Sequence, residues 1–429
     1  MGIALSRIIV DVGVAIWNSL VAPRNFYVGR PARQTDPNAH LACDEKWKSA
    51  VDGIKRSGDC YLVVGNGFLG RGIVRCLLER GETNIRVFDV APSNVWQGNP
   101  HVTFIRGDVT KFEDISNACG GVQVVYSTYA LIRFMDRLDF QASLSYRVNV
   151  GGMKTLLEAI KANSCERLIM TSTSNVCSDI SRARPCLNLD ESEPYTTPEV
   201  SPHHYAWTKA VSEQLVLKAD GCKLANAHEL QTVVVRPCGG LVGGNDGLTF
   251  SNVLDLGLVA SHGSWTCDGF SAPMDYTYVD NVLLGHLLAE QALREGKPGI
   301  RGEAFNISND DPLSLADLAS LMQYHLRGLL SPQMRQRLVV RWICIPWWVM
   351  CPLTWSLETF KWLTRGRFKL PTHLDMVTPA LLDQMNLGFT YSSQKARDRL
   401  GYAPVYTVDE AIQRSLHDYY RSHYPDKTA

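Results

Sequence analysis

The sequence predicts an α/β fold built on a doubly wound parallel sheet. Three observations carry that expectation. From Cys60 onward, short β-branched runs alternate with longer amphipathic segments. The short runs are apolar almost throughout, as strands covered on both faces must be. The first of them opens into a helix through the glycine-rich turn Gly65-Asn66-Gly67-Phe68-Leu69-Gly70, which is a Rossmann-type junction.

The strands expected are 60–65 (CYLVVG), 84–90 (NIRVFDV), 101–109, 122–128, 167–174 and 231–237. Each is rich in Val, Ile, Leu or aromatic residues. The helices between them are 71–81, 112–119, 146–163 and 206–220, where apolar residues recur at helical spacing. Residues 24–57 are polar, rich in Arg, Asp, Pro and Asn, and read as a linker. The chain thus divides into an N-terminal helix and linker (1–57), a Rossmann-type domain (58–240) and a smaller C-terminal region (241–429). No internal repeat or low-complexity tract interrupts this plan.

Two stretches depart from the soluble average. In residues 1–23, Arg7, Asp11 and Asn18 share one narrow helical stripe, with Ile, Val, Leu and Trp17 around the rest. Such a helix lies in a membrane surface or packs on the protein's own core. The start also matches a myristoylation pattern at Gly2 and Ser6. The second stretch, near 339–366, holds five of the ten tryptophans, at 342, 347, 348, 355 and 362. Pro346 and Pro352 interrupt it, so its apolar run is too short to span a bilayer. Trp favours the headgroup zone, and the flanking Arg and Lys residues suit anionic lipid. A membrane-contacting segment is expected there, the alternative being a buried lid over an apolar pocket.

Composition narrows the function further. With 43 basic and 43 acidic residues the formal net charge is zero, so no nucleic-acid partner is expected. The twelve cysteines stand singly, with no C-x-x-C pair. That argues against zinc and for a reduced intracellular compartment.

The chemistry concentrates at the ends of the strands. Gly65 permits a tight turn, Gly67 lets backbone approach a pyrophosphate, and Gly70 allows helix and strand to pack closely. Asp89 closes the second strand nineteen residues after Gly70. A carboxylate there holds the ribose hydroxyls of NAD and repels the 2′-phosphate of NADP. Arg71 tempers that preference. Asp108, followed by Val109, ends the third strand where it meets an adenine edge. The strand end Thr171-Ser172-Thr173-Ser174-Asn175-Val176 offers hydroxyls to a substrate alcohol or carbonyl. Thirty-two residues after Thr173, Tyr205 and Lys209 stand four apart on an expected helix, hence on one face. Taken by itself that spacing is a common coincidence; after the glycine turn and the hydroxyl cluster it is not.

At this point the chain resembles the extended short-chain dehydrogenase/reductase family, over roughly residues 58–420. Within it the chain is similar to the 3β-hydroxysteroid dehydrogenases and their decarboxylating sterol members. The glycine turn, "FD" at 88–89, "GDVT" at 107–110, "TSTSNV" at 171–176, "DYTYVDNV" at 275–282 and "KARDRLGYAPV" at 395–405 carry the likeness. By position, the resemblance implies Thr173 as the catalytic hydroxyl, Tyr205 as the acid–base group and Lys209 as its partner. It also implies that Asn149 orders the active site, that Pro237 packs at the nicotinamide end, and that a homodimer is one option. Three departures touch pocket shape. Val64 replaces a usual glycine, "RPCGGLVGGND" is one residue longer than the family's version, and Ser127 and Thr128 stand where a His-containing version is common.

The expected reaction is oxidation of a 3β-hydroxyl with NAD⁺. Tyr205 would remove the hydroxyl proton while hydride leaves. A neighbouring ammonium and a positive nicotinamide both favour phenolate, so the phenol is expected well below its ordinary value of ~10. With a carboxylate on the adjacent carbon, the ketone product is a β-keto acid that loses CO₂ without pyridoxal or metal. The residues alone leave this outcome and a plain 3-ketosteroid both open, and the nearest rival is a 3β-hydroxysteroid dehydrogenase/isomerase that shifts a double bond without decarboxylation. They also leave a nucleotide-sugar epimerase and a non-catalytic NAD-binding scaffold as rival readings. A sterol or triterpenoid substrate, a membrane surface and the cytosolic face of the endoplasmic reticulum complete the expectation.

Overall fold

A computed structural model describes residues 39–133, 136–178, 186–201, 203–243, 264–267, 272–329, 342–345, 347–368 and 378–423. Its centre is a seven-stranded sheet. The strands are β1 (Tyr61–Val64), β2 (Ile85–Asp89), β3 (Val102–Arg106), β4 (Val124–Ser127), β5 (Arg167–Thr171), β6 (Gln231–Pro237) and β7 (Glu303–Ile307). They lie in the order β3-β2-β1-β4-β5-β6-β7, and every pairing is parallel. The order reverses at β1 and β4, so a crevice opens above their carboxyl ends.

Strand alternation sends successive side chains to two separate cores. Tyr61, Val63, Val87, Tyr126, Ile169, Val233 and Phe305 face one layer. That layer holds helices α1 (Phe68–Glu79) and, from far along the chain, α5 (Val279–Arg294). Leu62, Val64, Phe88, Val125, Leu168, Met170 and Val234 face the other. There lie α2 (Phe112–Cys119), α3 (Gly152–Asn163) and α4 (His204–Ala219). Strands apolar on both faces are therefore explained by two buried faces. Both α5 and β7 come from beyond residue 240, so the core draws on both sides of the boundary expected there.

The expected linker is not one throughout. Residues Ala39–Val51 form a helix, anchored by the buried Trp47, whose Nε1 donates to Glu79 Oε2 at 3.1 Å. Lys46 pairs with Glu410 on the C-terminal helix Val408–His423. The helix forms because one aromatic anchor and one ion pair dock it, although its own amphipathic pattern is weak. The expected N-terminal helix at 1–23, with Gly2 and Ser6, lies outside the described residues.

The tryptophan-rich stretch forms an 18-residue helix, Trp347–Thr364, with Pro352 accommodated inside. Trp348 is 74% exposed, and Trp355, Trp362, Leu363 and Phe368 are also exposed. Among the described residues no helix is long and apolar enough to cross a membrane. Among the described residues, three two-stranded ladders join segments of the C-terminal region to one another or to earlier parts of the chain. One pairs Cys186–Leu189 with Phe389–Tyr391 and braces the segment that follows β5.

Candidate active site

The glycine turn is built as the spacing requires. Gly65 has φ +108°, and a Cβ there would lie 2.8 Å from Thr128 Oγ1 and from the Tyr129 amide nitrogen. A Cβ on Gly70 would lie 1.8 Å from the Gly65 carbonyl oxygen, so α1 packs against the β1 turn only because Gly70 lacks one. Gly67, at the N-cap of α1, meets nothing within 4 Å. Open space over the N-terminus of a helix receives phosphate. Thr128 Oγ1 donates to the carbonyls of Val64 and Gly65 at 3.1 Å, so this departure from the family pattern reinforces the turn. Phe68 lays its ring against Gly243, and Leu69 packs into the α1 layer.

Asp89 faces the turn. Its Oδ2 accepts from Asn66 N at 2.7 Å and its Oδ1 from Ala91 N at 2.8 Å. Each oxygen keeps a further lone pair for a ribose hydroxyl. Asp108 accepts from the Thr110 amide and hydroxyl at 3.0 and 2.8 Å. Burial raises its pKa, but these bonds, with Lys111 and Arg147, bring it below the ordinary carboxylate value. Val109 is buried beside Gly152, and Pro237 closes β6. The residues present fit an adenine dinucleotide: an open helix N-terminus, a glycine cradle and a fixed carboxylate.

Thr173, Tyr205 and Lys209 come together at the end of β5. Thr173 caps a short 3₁₀ turn, Ser174–Cys177, accepting from Asn175 N at 3.3 Å. The Tyr205 phenol lies near enough to the Thr173 side chain for that group to lower its pKa. Lys209, one turn further along α4, donates from Nζ to the Thr171 carbonyl at 2.7 Å. Behind Thr171, its hydroxyl bonds His286 Nε2 at 2.7 Å, while His286 Nδ1 faces the Val282 carbonyl at 2.8 Å. Burial lowers the His286 pKa to about 4, so the ring is neutral. Its Nδ1–H then donates to Val282 and Nε2 accepts from Thr171.

Burial works against the expected fall in the Tyr205 pKa. It raises the phenol pKa to about 12, and the neighbouring Thr173 side chain opposes this only in part. Lys209 moves the other way, to about 8, because burial outweighs the carboxylate of Glu213. Sequence spacing located the pair but could not weigh desolvation against charge. Glu213 in turn is locked to Arg236, whose Nη2 and Nε lie 2.5 and 2.9 Å from Oε1. Both side chains are almost wholly buried, and this pair, which sequence reasoning missed, fixes the catalytic helix to β6.

Asn149 stands apart from the reacting groups. It lies in a π-helix, Tyr146–Gly151, and its Nδ2 donates to Leu131 O at 3.2 Å and Thr208 Oγ1 at 3.0 Å. Its Oδ1 accepts from Leu131 N at 2.7 Å. It thereby ties the segment after β4 to α4 one residue before Lys209.

Residues 62–332 match the model of the 3-beta hydroxysteroid dehydrogenase/isomerase family. The chain belongs to this family. It is a short-chain dehydrogenase/reductase, an oxidoreductase that works with a nicotinamide cofactor. It is 28% identical over 369 residues to a mouse sterol-4-alpha-carboxylate 3-dehydrogenase, decarboxylating, covering 86% of this chain and 92% of the mouse protein. It is 29% identical over 375 residues to an Arabidopsis thaliana 3beta-hydroxysteroid-dehydrogenase/decarboxylase, covering 83% and 78%. Among solved structures, an Agrobacterium tumefaciens short-chain dehydrogenase/reductase superfamily protein with bound NAD superimposes with TM-score 0.60 at 19% identity, covering 86% of this chain and all of that one. A UDP-galactose 4-epimerase gives TM-score 0.58 at 17% identity, covering 85% and 99%. These two likenesses are of fold.

Proposed function

We propose that this protein oxidises the 3β-hydroxyl of a 4-carboxy sterol or triterpenoid with NAD⁺ and releases CO₂. The observation that carries the reading is the grouping of Thr173, Tyr205 and Lys209 at the carboxyl end of β5, with Lys209 Nζ held by the Thr171 carbonyl at 2.7 Å, two strands from the Gly65–Gly70 turn. Asp89 favours NAD over NADP, because a 2′-phosphate would meet a carboxylate. The decarboxylating names of the mouse and Arabidopsis relatives favour a carboxylated substrate.

NAD⁺ bound in the cradle supplies the hydride acceptor and a positive charge. Thr173 holds the substrate hydroxyl, and Tyr205 takes its proton. Lys209, charged at neutral pH, favours the phenolate that this transfer requires. Asn149 acts as a positioning residue through Thr208. Once the ketone has formed, the C4–carboxylate bond breaks and its electron pair moves to the ketone oxygen as an enolate. Thr173 and the now-protonated Tyr205 donate hydrogen bonds to that oxygen. The high proton affinity of the buried phenol suits this second role, and the enolate carbon then takes a proton.

The exposed tryptophan face of Trp347–Thr364, with Lys361, Arg365 and Arg367 beside it, supports peripheral docking on an anionic membrane. We assign the protein to the cytosolic face of the endoplasmic reticulum, where an apolar substrate is held. Trp348→Ser with Trp362→Ser should lose flotation with phosphatidylserine vesicles; unchanged flotation refutes the docking face.

The deciding experiment incubates detergent-solubilised protein with NAD⁺ and a 3β-hydroxy-4-carboxysterol. NADH absorbance and product mass are followed together. NADH with loss of CO₂ supports the reading. NADH with the carboxyl retained assigns a plain dehydrogenase, and turnover only of a carboxyl-free 3β-hydroxysteroid refutes the carboxylated substrate.

A further inference from the structure

His203 immediately precedes α4, two residues before Tyr205. It is 6% exposed, and neither Nδ1 nor Nε2 has a hydrogen-bond partner. Among the described residues, the buried His286 is satisfied by Thr171 and Val282 and His325 by Asp409 at 2.8 Å, while the adjacent buried His204 leaves only Nδ1 without a partner. Buried polar groups are rarely left unbonded, and an exception calls for a ligand or a functional role. Earlier in the same segment leading into α4, Thr196 Oγ1 and Ser201 Oγ are also buried without partners. Residues 136–138 pack against the start of α4. The Asp136 carbonyl accepts from His204 N at 3.1 Å, and the charge of Arg137 reaches His203.

We propose that His203 is a specificity-determining residue whose ring N–H receives the carboxylate of the substrate. This deepens the carboxy-sterol reading and rests on it. The substrate hydroxyl is already served by Thr173 and Tyr205, so an additional buried donor beside α4 addresses a second oxygen group. Arg137 gives this segment a positive potential, yet its guanidinium is held by Glu358 at 2.8 and 2.6 Å and lies 4.7 Å over the Trp355 ring. The imidazole itself stays neutral: burial, then Arg137 and His204, lower its pKa to about 4. A neutral donor suits the reaction. A full counter-charge would stabilise the carboxylate and oppose the flow of its electrons toward the ketone, whereas a single N–H anchors it.

The test uses full-length, detergent-solubilised enzyme and two sterols that differ only in the C-4 carboxyl. His203→Phe keeps the ring and removes both nitrogens. It is expected to lower kcat/KM for the acid about 10- to 100-fold, the worth of a hydrogen bond to a charged group, and to change the carboxyl-free sterol by less than about twofold. His203→Gln restores a donor and should recover part of the loss. Replacing an unpaired buried imidazole by an apolar ring should leave the melting midpoint unchanged or raised, which guards against misfolding. Equal losses on both sterols, or no loss on either, overturn the assignment while the carboxy-sterol reading stands. A wild-type enzyme that oxidises only the carboxyl-free sterol overturns both.

Discussion

Glu213→Gln tests how the catalytic helix is held. In the folded chain Arg236 and Glu213 are 2% and 0% exposed, with guanidinium nitrogens 2.5 and 2.9 Å from Oε1. The amide leaves a buried guanidinium uncompensated, which costs about 3–5 kcal/mol. Unfolding entropy of about 2.1 cal/mol/K per residue gives roughly 0.9 kcal/mol/K for a chain of 429 residues. The melting midpoint should therefore fall by about 3–5 °C. A double variant, Arg236→Met with Glu213→Leu, removes both charges and should recover most of that loss, because a buried ion pair is nearly matched by apolar packing. Glu213 also raises the pKa of Lys209 against burial, so without it Lys209 loses its proton at lower pH. The alkaline fall of kcat/KM should move to lower pH in Glu213→Gln. Scanning calorimetry and a pH profile decide the matter. A single variant within 1 °C of wild type, or a double variant no better than the single, refutes the reasoning.

Three further outcomes follow from the site. Tyr205→Phe should lower kcat by about 10²- to 10⁴-fold while calorimetry shows NAD⁺ binding intact; substantial turnover sinks the acid–base assignment. Gly70→Ala forces a Cβ to within 1.8 Å of the Gly65 carbonyl, so α1 must shift and NAD⁺ affinity should fall at least about tenfold, against none for Gly53→Ala, where a Cβ meets nothing. Asp275 has its pKa raised to about 7, chiefly by burial. Between its ordinary value and 7 the unfolded chain binds fewer protons than the folded one, so stability falls as pH rises through that window. Asp275→Asn should flatten this slope, measurable as midpoints at pH 5 and pH 8; an unchanged slope removes Asp275 from the account.

Much of this was legible because parallel strands buried on both faces write themselves as short apolar runs. The glycine turn, Asp89, Thr173 and the Tyr205–Lys209 pair were legible because each needs a residue type at a fixed offset. The Ala39–Val51 helix was not, since it depends on Trp47 and Lys46 reaching residues 32 and 364 positions away. The π-helix at Tyr146–Gly151 was hidden inside an ordinary helical pattern, which cannot reveal one wider turn. The direction of the Tyr205 shift needed burial, a three-dimensional quantity. His203 carried no signal in the sequence, because the lack of partners on its nitrogens is a property of the folded chain.

The short strand Phe389–Tyr391 bears on how the enzyme comes into being. Tyr391 reaches across to Ser178, with hydroxyls 2.7 Å apart, and its amide donates to Asp275 at 2.7 Å. The ground beneath Thr173 is thus underpinned by a segment synthesised more than two hundred residues later. A nascent chain whose first six strands have already emerged from the ribosome still lacks this support. The tryptophan helix at Trp347–Thr364 leaves the ribosome before it. The order of translation therefore completes the tryptophan helix while the support beneath Thr173 is still missing.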